Sequence, residues 1–256
     1  LYWIATTAKI AAAIIFTKLA LHSRLDISYL LACYFFIPAL NADGEVLPIL
    51  TVGWTLSYEM FFYVIFALAL RLKVLPIIFV ACIFMVLSIV GIFRTAQWAP
   101  IITTFANPLI LEFLMGMGVA AVYRKVDRIN VLIPITMIIV GMIALLTMDS
   151  SAMKWRFLFW GIPATSIVAG FVLAEHYLGK RIPSLFVKFG DSSYSLYLFH
   201  PFVVPLIVVL LIKAGINMPV LALIACILSS LLIGVLACKF IERPVIGYIQ
   251  TKFGLK

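Results

Sequence analysis

The chain has 256 residues, of which 65% are apolar and only 11% charged, with a mean hydropathy of +1.21. Soluble globular chains carry about 25% charged residues, so a water-soluble domain is excluded. The formal net charge of +9 does not imply a nucleic-acid partner, because the bases cluster in short loops between apolar runs, as in membrane anchoring.

The apolar runs are helical in length, roughly 18–25 residues, and lack the ten-residue alternation of barrel strands. In chain order they are Leu1–Leu21, Ile27–Leu40, Ile49–Leu70, Val74–Phe93, Phe105–Tyr123, Val131–Met148, Phe157–His176, Phe189–Ile212 and Met218–Phe240. The predicted fold is an all-α polytopic membrane protein, a helical bundle of about eight or nine transmembrane helices making a single transmembrane domain over residues 1–256. The Ile27–Leu40 run is short for a span and is read as interfacial or re-entrant. No internal repeat or soluble linker interrupts the series. Gly141 and the Gly116/Gly118 pair are predicted to be close-packing sites between helices.

Loop charge sets a direction. Arg71 and Lys73, then Arg124, Lys125 and Arg128, then Lys180, Arg181 and Lys188, and finally Lys239, Arg243, Lys252 and Lys256 form four basic sites. They alternate with loops poor in bases, the loop with Lys154 and Arg156 being the exception. The basic sites are expected in the cytoplasm, which starts the Trp54 helix at the outer face and leaves the C-terminus cytoplasmic. Cys33, Cys82, Cys226 and Cys238 all lie in apolar runs without metal-ligand or CxxC spacing, and read as small buried hydrophobes. Leu1 opens directly in an apolar run, without a basic leader or initiator Met.

Three polar groups interrupt the apolar runs. Glu59, in Trp54-Thr55-Leu56-Ser57-Tyr58-Glu59-Met60-Phe61-Phe62-Tyr63, has no neighbouring base. A carboxylate at membrane depth costs roughly 2.5–3.5 kcal/mol even on lenient scales, so it is expected to face a bundle interior or wet cavity. Thr55, Glu59 and Tyr63 are four apart and share a helical face. Glu112 is a second such acid, in Asn107-Pro108-Leu109-Ile110-Leu111-Glu112-Phe113. In Gly190-Asp191-Ser192-Ser193-Tyr194-Ser195-Leu196-Tyr197-Leu198-Phe199-His200-Pro201, Asp191 or Ser192 is the expected N-cap, and Ser193, Tyr197 and His200 make a polar stripe. Pro201 loosens the backbone there. Phe240-Ile241-Glu242-Arg243-Pro244 reads as a helix stop at the membrane edge. His22 and His176 sit at run ends and read as interfacial. Each polar group has a bland reading beside the functional one: hydrogen-bonded glue between helices, or an interfacial belt.

Four of these motifs, in this order, resemble acyltransferase family 3, integral-membrane enzymes that O-acetylate surface polysaccharides. Trp54-Thr55-Leu56-Ser57-Tyr58-Glu59 with Phe62-Tyr63 is similar to the family's W-S/T-L-x-x-E-x-x-F-Y signature. Leu111-Glu112-Phe113 with Gly116 is similar to its EFLLG segment. Ser193 to Pro201 is similar to SYSLYLxHxP, and Glu242-Arg243-Pro244 to its terminal ERP. The flavour is nearest to the exopolysaccharide-production acetyltransferases of bacteria.

The resemblance implies transfer of an acyl group, acetyl above all, from acetyl-CoA to a hydroxyl of a cell-surface or exopolysaccharide sugar, with no metal. It implies Glu59 and His200 as catalytic candidates and Trp54, Ser57, Tyr63, Glu112, Ser193, Tyr197 and Arg243 as substrate-binding candidates. Lys180, Arg181 and Lys188 join Arg243 as candidate partners of the CoA phosphates. The implied setting is the bacterial inner membrane, and the partners are the lipid bilayer, acyl-CoA and a carbohydrate acceptor, with no nucleic acid. The family also opens with two spans, an Arg-rich stretch and a His that serves as base, which nothing in this sequence matches. The chain is accordingly expected to be an N-terminally truncated piece of an acyltransferase, its own activity left open. The rival readings are a proton-coupled small-molecule transporter relaying through Glu59, Glu112 and His200, and an inactive helical membrane scaffold.

Overall fold

A computed structural model describes residues 1–15, 25–95, 97–126, 129–148, 156–178 and 182–254, and of His176 the backbone only. The expected end of the first run, together with His22, Arg128, Lys154, Lys180, Arg181 and Lys256, lies outside the described residues. The described residues are helical apart from loops, turns and one antiparallel bridge between Leu40 and Val46. Their contacts fall into two compact units, Leu1–Trp54 with Ile182–Lys256, and Thr55–Arg181.

Four stretches among the described residues are long and apolar enough to cross a membrane: Gly53–Arg71, Phe157–Glu175, Ser193–Lys213 and Pro219–Phe253. Four more are apolar but shorter: Tyr2–Ile15, Pro76–Ile92, Pro108–Tyr123 and Leu132–Thr147. Their outer faces are as apolar as their inner ones. Val64, Val86, Leu146, Leu206 and Leu223 each leave more than half of their surface uncovered. A soluble monomer rarely exposes more than a few hundred Å² of contiguous apolar patch, so this surface is built for lipid.

The first unit contains α1 (Tyr2–Ile15), α2 (Ile27–Tyr34), the start of α3 (Gly53–Arg71), α9 (Ser184–Asp191), α10 (Ser193–Lys213), α11 (Pro219–Ala237) and α12 (Arg243–Phe253). Asp26 caps α2, its carboxylate accepting from the Tyr29 N–H at 3.3 Å. This satisfies one of the donors a helix start leaves open. The α2 end then comes back to the α1 start. Tyr2 donates its hydroxyl to the Cys33 carbonyl at 3.0 Å, and the Trp3 indole N–H donates to the Tyr34 carbonyl at 2.9 Å. Gly53 closes this corner. A Cβ there would stand 2.8 Å from the Tyr2 ring, so only glycine lets the α3 start sit against α1. The α1 and α3 starts therefore share one end, whereas loop charge with a non-crossing second segment places them on opposite sides.

α10 and α11 form an antiparallel hairpin whose turn uses Gly215 at φ +72°. α10 runs unbroken through Pro201 and Pro205. The long helix that begins at Pro219 does not stop at Glu242-Arg243-Pro244, contrary to the expectation. It widens into a π turn, Cys238–Glu242, and continues as α12 to Phe253. The Arg243 N–H reaches back five residues to the Cys238 carbonyl. Pro244 has no N–H to give, and the wide turn absorbs that loss without ending the helix.

The second unit contains the rest of α3, α4 (Pro76–Ile92), α5 (Pro100–Phe105), α6 (Leu111–Tyr123), α7 (Leu132–Thr147) and α8 (Ile162–Leu178). α8 is entered through a second π turn, Phe157–Gly161, again with a proline, Pro163, two residues beyond it. α7 and α8 pack backbone to backbone. A Cβ on Gly141 would lie 2.7 Å from the Pro163 carbonyl oxygen, and one on Gly170 would lie 2.8 Å from that of Pro134. Gly141 is thus a close-packing site as predicted. Gly116 and Gly118 are not: nothing stands within 4 Å of where their Cβ atoms would be. Tightest among the close contacts that the sequence did not reveal is Gly91, whose Cβ would fall 1.5 Å from the Ala106 carbonyl oxygen.

Candidate functional site

In the first unit, the start of α10 gathers polar groups that hydrophobic periodicity did not select. Ser195 is fully buried and donates its hydroxyl to the Glu242 carboxylate. This occupies a partly buried acid at the π turn. Gly234 makes the approach possible, since a Cβ there would stand 2.8 Å from that of Leu196. Arg243 forms an ion pair with Asp191 at 3.4 Å, and both side chains are more than half exposed. Ser192 caps backward, donating to the Lys188 carbonyl at 2.9 Å, and makes no side-chain bond to α10. Ser192 stands at the N-cap position of α10, one of the two residues expected there, but without a side-chain capping bond, between the end of α9 at Asp191 and the start of α10 at Ser193.

The predicted stripe of Ser193, Tyr197 and His200 divides. Ser193 is exposed. Tyr197 is half-buried and donates to the Val52 carbonyl at 2.5 Å, just ahead of the α3 start and two residues before the half-buried Trp54. His200 is half-buried too, its Nδ1 lying 3.3 Å from the Leu196 carbonyl oxygen and its ring 6.1 Å from that of Tyr197. Tyr197, His200 and the segment that leads into Trp54 therefore form one neighbourhood. Ser195 turns instead to Glu242 and Arg243 to Asp191.

In the second unit, α3 and α6 meet through stacked rings, Phe62 on Phe113 at 4.9 Å, extended by Phe61, Phe84 and Phe105. Glu59 and Glu112 each lie within one helical turn of the Phe62–Phe113 stack. Glu59 is half-buried and, among the described residues, has no hydrogen-bond or ion-pair partner. Ser57 beside it is buried, but Tyr63 is 53% exposed, so the expected Thr55-Glu59-Tyr63 face is not a buried one along its whole length. Glu112 is half-buried and touches the π turn: a Cβ on Gly161 would lie 3.3 Å from its Cγ. The Arg156 guanidinium acts on it through space, and Arg94 and Arg156 act in the same way on the buried Tyr58. Arg156 appeared in the sequence only as an exception to the loop-charge pattern.

A cavity of about 410 Å³ opens between α6, α7 and α8. It is lined by Met115, Val119 and Val122 on α6, Met137 on α7 and Ile162, Ala169 and Leu173 on α8. No group of three or more His, Cys, Asp or Glu side chains able to hold a metal occurs among the described residues.

No solved structure matches the chain. It is 33% identical over 253 residues to the exopolysaccharide production protein ExoZ of Rhizobium meliloti strain 1021, covering 96% of this chain and 77% of that relative. A family model described as an acyltransferase domain matches residues 10–239, a stretch that holds Glu59, Glu112 and three of the four motifs, the terminal Glu242-Arg243-Pro244 lying just beyond it. On the strength of the family match and the relative, this integral membrane chain belongs to acyltransferase family 3.

Proposed function

We propose that the protein transfers an acetyl group from acetyl-CoA to a hydroxyl of an exopolysaccharide sugar in the bacterial inner membrane, with its C-terminus in the cytoplasm. The observation that carries the reading is Glu59: a half-buried carboxylate without a partner among the described residues, on the apolar helix of an acyltransferase. An uncompensated acid at membrane depth is costly, and acids so placed face a bundle interior or a wet cavity, where a substrate path runs. The sugar hydroxyl attacks the thioester carbonyl, the C–S bond breaks and CoA leaves as its thiol. That step needs an acceptor for the hydroxyl proton and donors for the developing oxyanion. Glu59 orients the attacking hydroxyl or the group that takes its proton. His200, beside Tyr197, is the candidate donor to the oxyanion. Trp54, Ser57, Tyr63, Glu112 and Ser193 are candidates for lining the substrate path. Arg243 and Lys188 are candidates for the CoA phosphates, although the Asp191 pair already occupies part of the Arg243 fork.

The test is acetyl transfer from radiolabelled acetyl-CoA to exopolysaccharide in membranes carrying the protein. Glu59→Gln is expected to lower transfer by about 10²-fold, the span of a lost positioning contact, with membrane insertion unchanged. Wild-type transfer with Glu59→Gln would refute the assignment. Movement of solute across the membrane without any acetyl donor would favour a transporter instead.

A further inference from the structure

Two arginines of the second unit stand at the end that loop charge assigns to the outside, and the transfer step uses neither. Arg94 closes the turn after α4, its backbone N–H donating to the Gly91 carbonyl at 3.3 Å. Gly91 is pressed against the Ala106 carbonyl, and the neighbouring Phe105 ring meets that of Tyr58 edge-on at 6.1 Å. Arg156 arrives by a separate route, as the residue before the π turn whose Gly161 abuts Glu112 in the first turn of α6. These contacts gather the end of α4, the start of α6 and the entry to α8 at one place. The two charges converge there: both act through space on the hydroxyl of the buried Tyr58, and Arg156 acts also on Glu112. Both arginines are exposed, so a solute reaches them from water. Among the described residues the Arg94 guanidinium has no ion pair or hydrogen bond, and Glu112 forms no ion pair.

We propose that Arg94 and Arg156 bind a carboxylate carried by the acceptor saccharide and so hold the sugar beside Glu112. The rule that keeps bases in cytoplasmic loops accounts for the other basic sites and not for this pair. A guanidinium presents a planar fork of donors that matches two carboxylate oxygens at once. Glu112 selects among anions. Ionised, it cancels one guanidinium and leaves a single positive charge to be met, which a carboxylate meets and a diphosphate exceeds. Place selects the substrate: the CoA phosphates fall to the bases at the cytoplasmic end, so the anion bound at the outer end belongs to the acceptor. The inference rests on the acyltransferase reading for the acceptor being a saccharide.

The test measures binding of methyl β-D-glucuronide and methyl β-D-glucoside, which differ in one carboxylate, to the whole protein in nanodiscs of zwitterionic lipid by saturation-transfer NMR. The glucuronide is expected to bind more tightly, and added salt to narrow the gap. Arg94→Gln and Arg156→Gln are each expected to weaken the glucuronide by roughly three- to tenfold and to leave the glucoside unchanged, which also shows that the variants remain folded. Arg156→Lys is expected to recover part of the loss, because the charge stays and the fork does not. Equal binding or no binding of the two sugars by the unaltered protein overturns the proposal, as does a preference that survives the double variant Arg94→Gln/Arg156→Gln. Tighter binding of inorganic pyrophosphate or of CoA through the same two arginines overturns it too, by assigning the pair to phosphate. Binding needs no acetyl donor, so its failure leaves the Glu59→Gln transfer assay standing, and the converse holds.

Discussion

Ser195 and Ser193 differ by two positions and by their whole environment. The first is fully buried against Glu242 and the second is exposed. Spacing by four from Tyr197 selected Ser193, because nothing in the local pattern of Gly190–Tyr197 separates the two serines by burial. What fixes the choice is Glu242, forty-seven residues away, and no local pattern reports it. Removing the hydroxyl leaves a partly buried carboxylate without its donor. Ser195→Ala is expected to cost about 1–3 kcal/mol, read as a lower melting temperature in detergent. The double variant Ser195→Ala/Glu242→Gln is expected to lose less than the sum of its singles, since the two groups share one interaction. Glu59 was legible for the opposite reason. An acid in an apolar run announces itself without knowledge of its neighbours, and so does Glu112.

The long helices follow the apolar runs closely. α3 spans Gly53–Arg71 where the run is Ile49–Leu70, and α10 spans Ser193–Lys213 where the run is Phe189–Ile212. Elements set by backbone chemistry were harder to see. α9 is a separate short helix before Ser192, and the π turns replace one expected stop. Glycine contacts were read correctly at Gly141 and wrongly at Gly116 and Gly118, because glycine in a helix signals close approach only where another helix arrives. That distinction gives a paired measurement. Gly91→Ala drives a methyl into the Ala106 carbonyl and is expected to destabilise by about 1–3 kcal/mol or to prevent folding. Gly116→Ala meets open space and replaces a poor helix former, so it is expected to be neutral or stabilising by up to about 1 kcal/mol. Thermal stability of both variants in one detergent decides the matter. Equal loss at both sites would contradict the packing described.

Across the molecule, composition alone identified the solvent. With 65% apolar residues and helices whose outward faces remain apolar, lipid must cover what a soluble protein would bury. That same uniformity hid the interior. Where the lipid-facing side is as apolar as the core, hydrophobic periodicity vanishes, and the sequence tells where helices are without telling which way they turn. Direction therefore has to be measured. A cysteine placed at Gly254, beyond α12, is expected to react with a membrane-impermeant maleimide only after the inner membrane is opened, as a cytoplasmic terminus requires. Labelling in intact cells stripped of their outer membrane would reverse the assignment.

Both π turns hold one residue more than an ordinary winding would, each shortly before a proline. Such surplus can be taken away. Excising Phe240 alone would let the helix rewind at 3.6 residues per turn and leave everything after it in nearly the same orientation, because the wide turn already absorbs the extra residue. Arg243 would still face Asp191 and Glu242 would still face Ser195, with one aromatic side chain fewer on the helix. A chain shortened by that one residue is expected to enter the membrane normally and keep both contacts, read as a melting temperature in detergent close to that of the full chain.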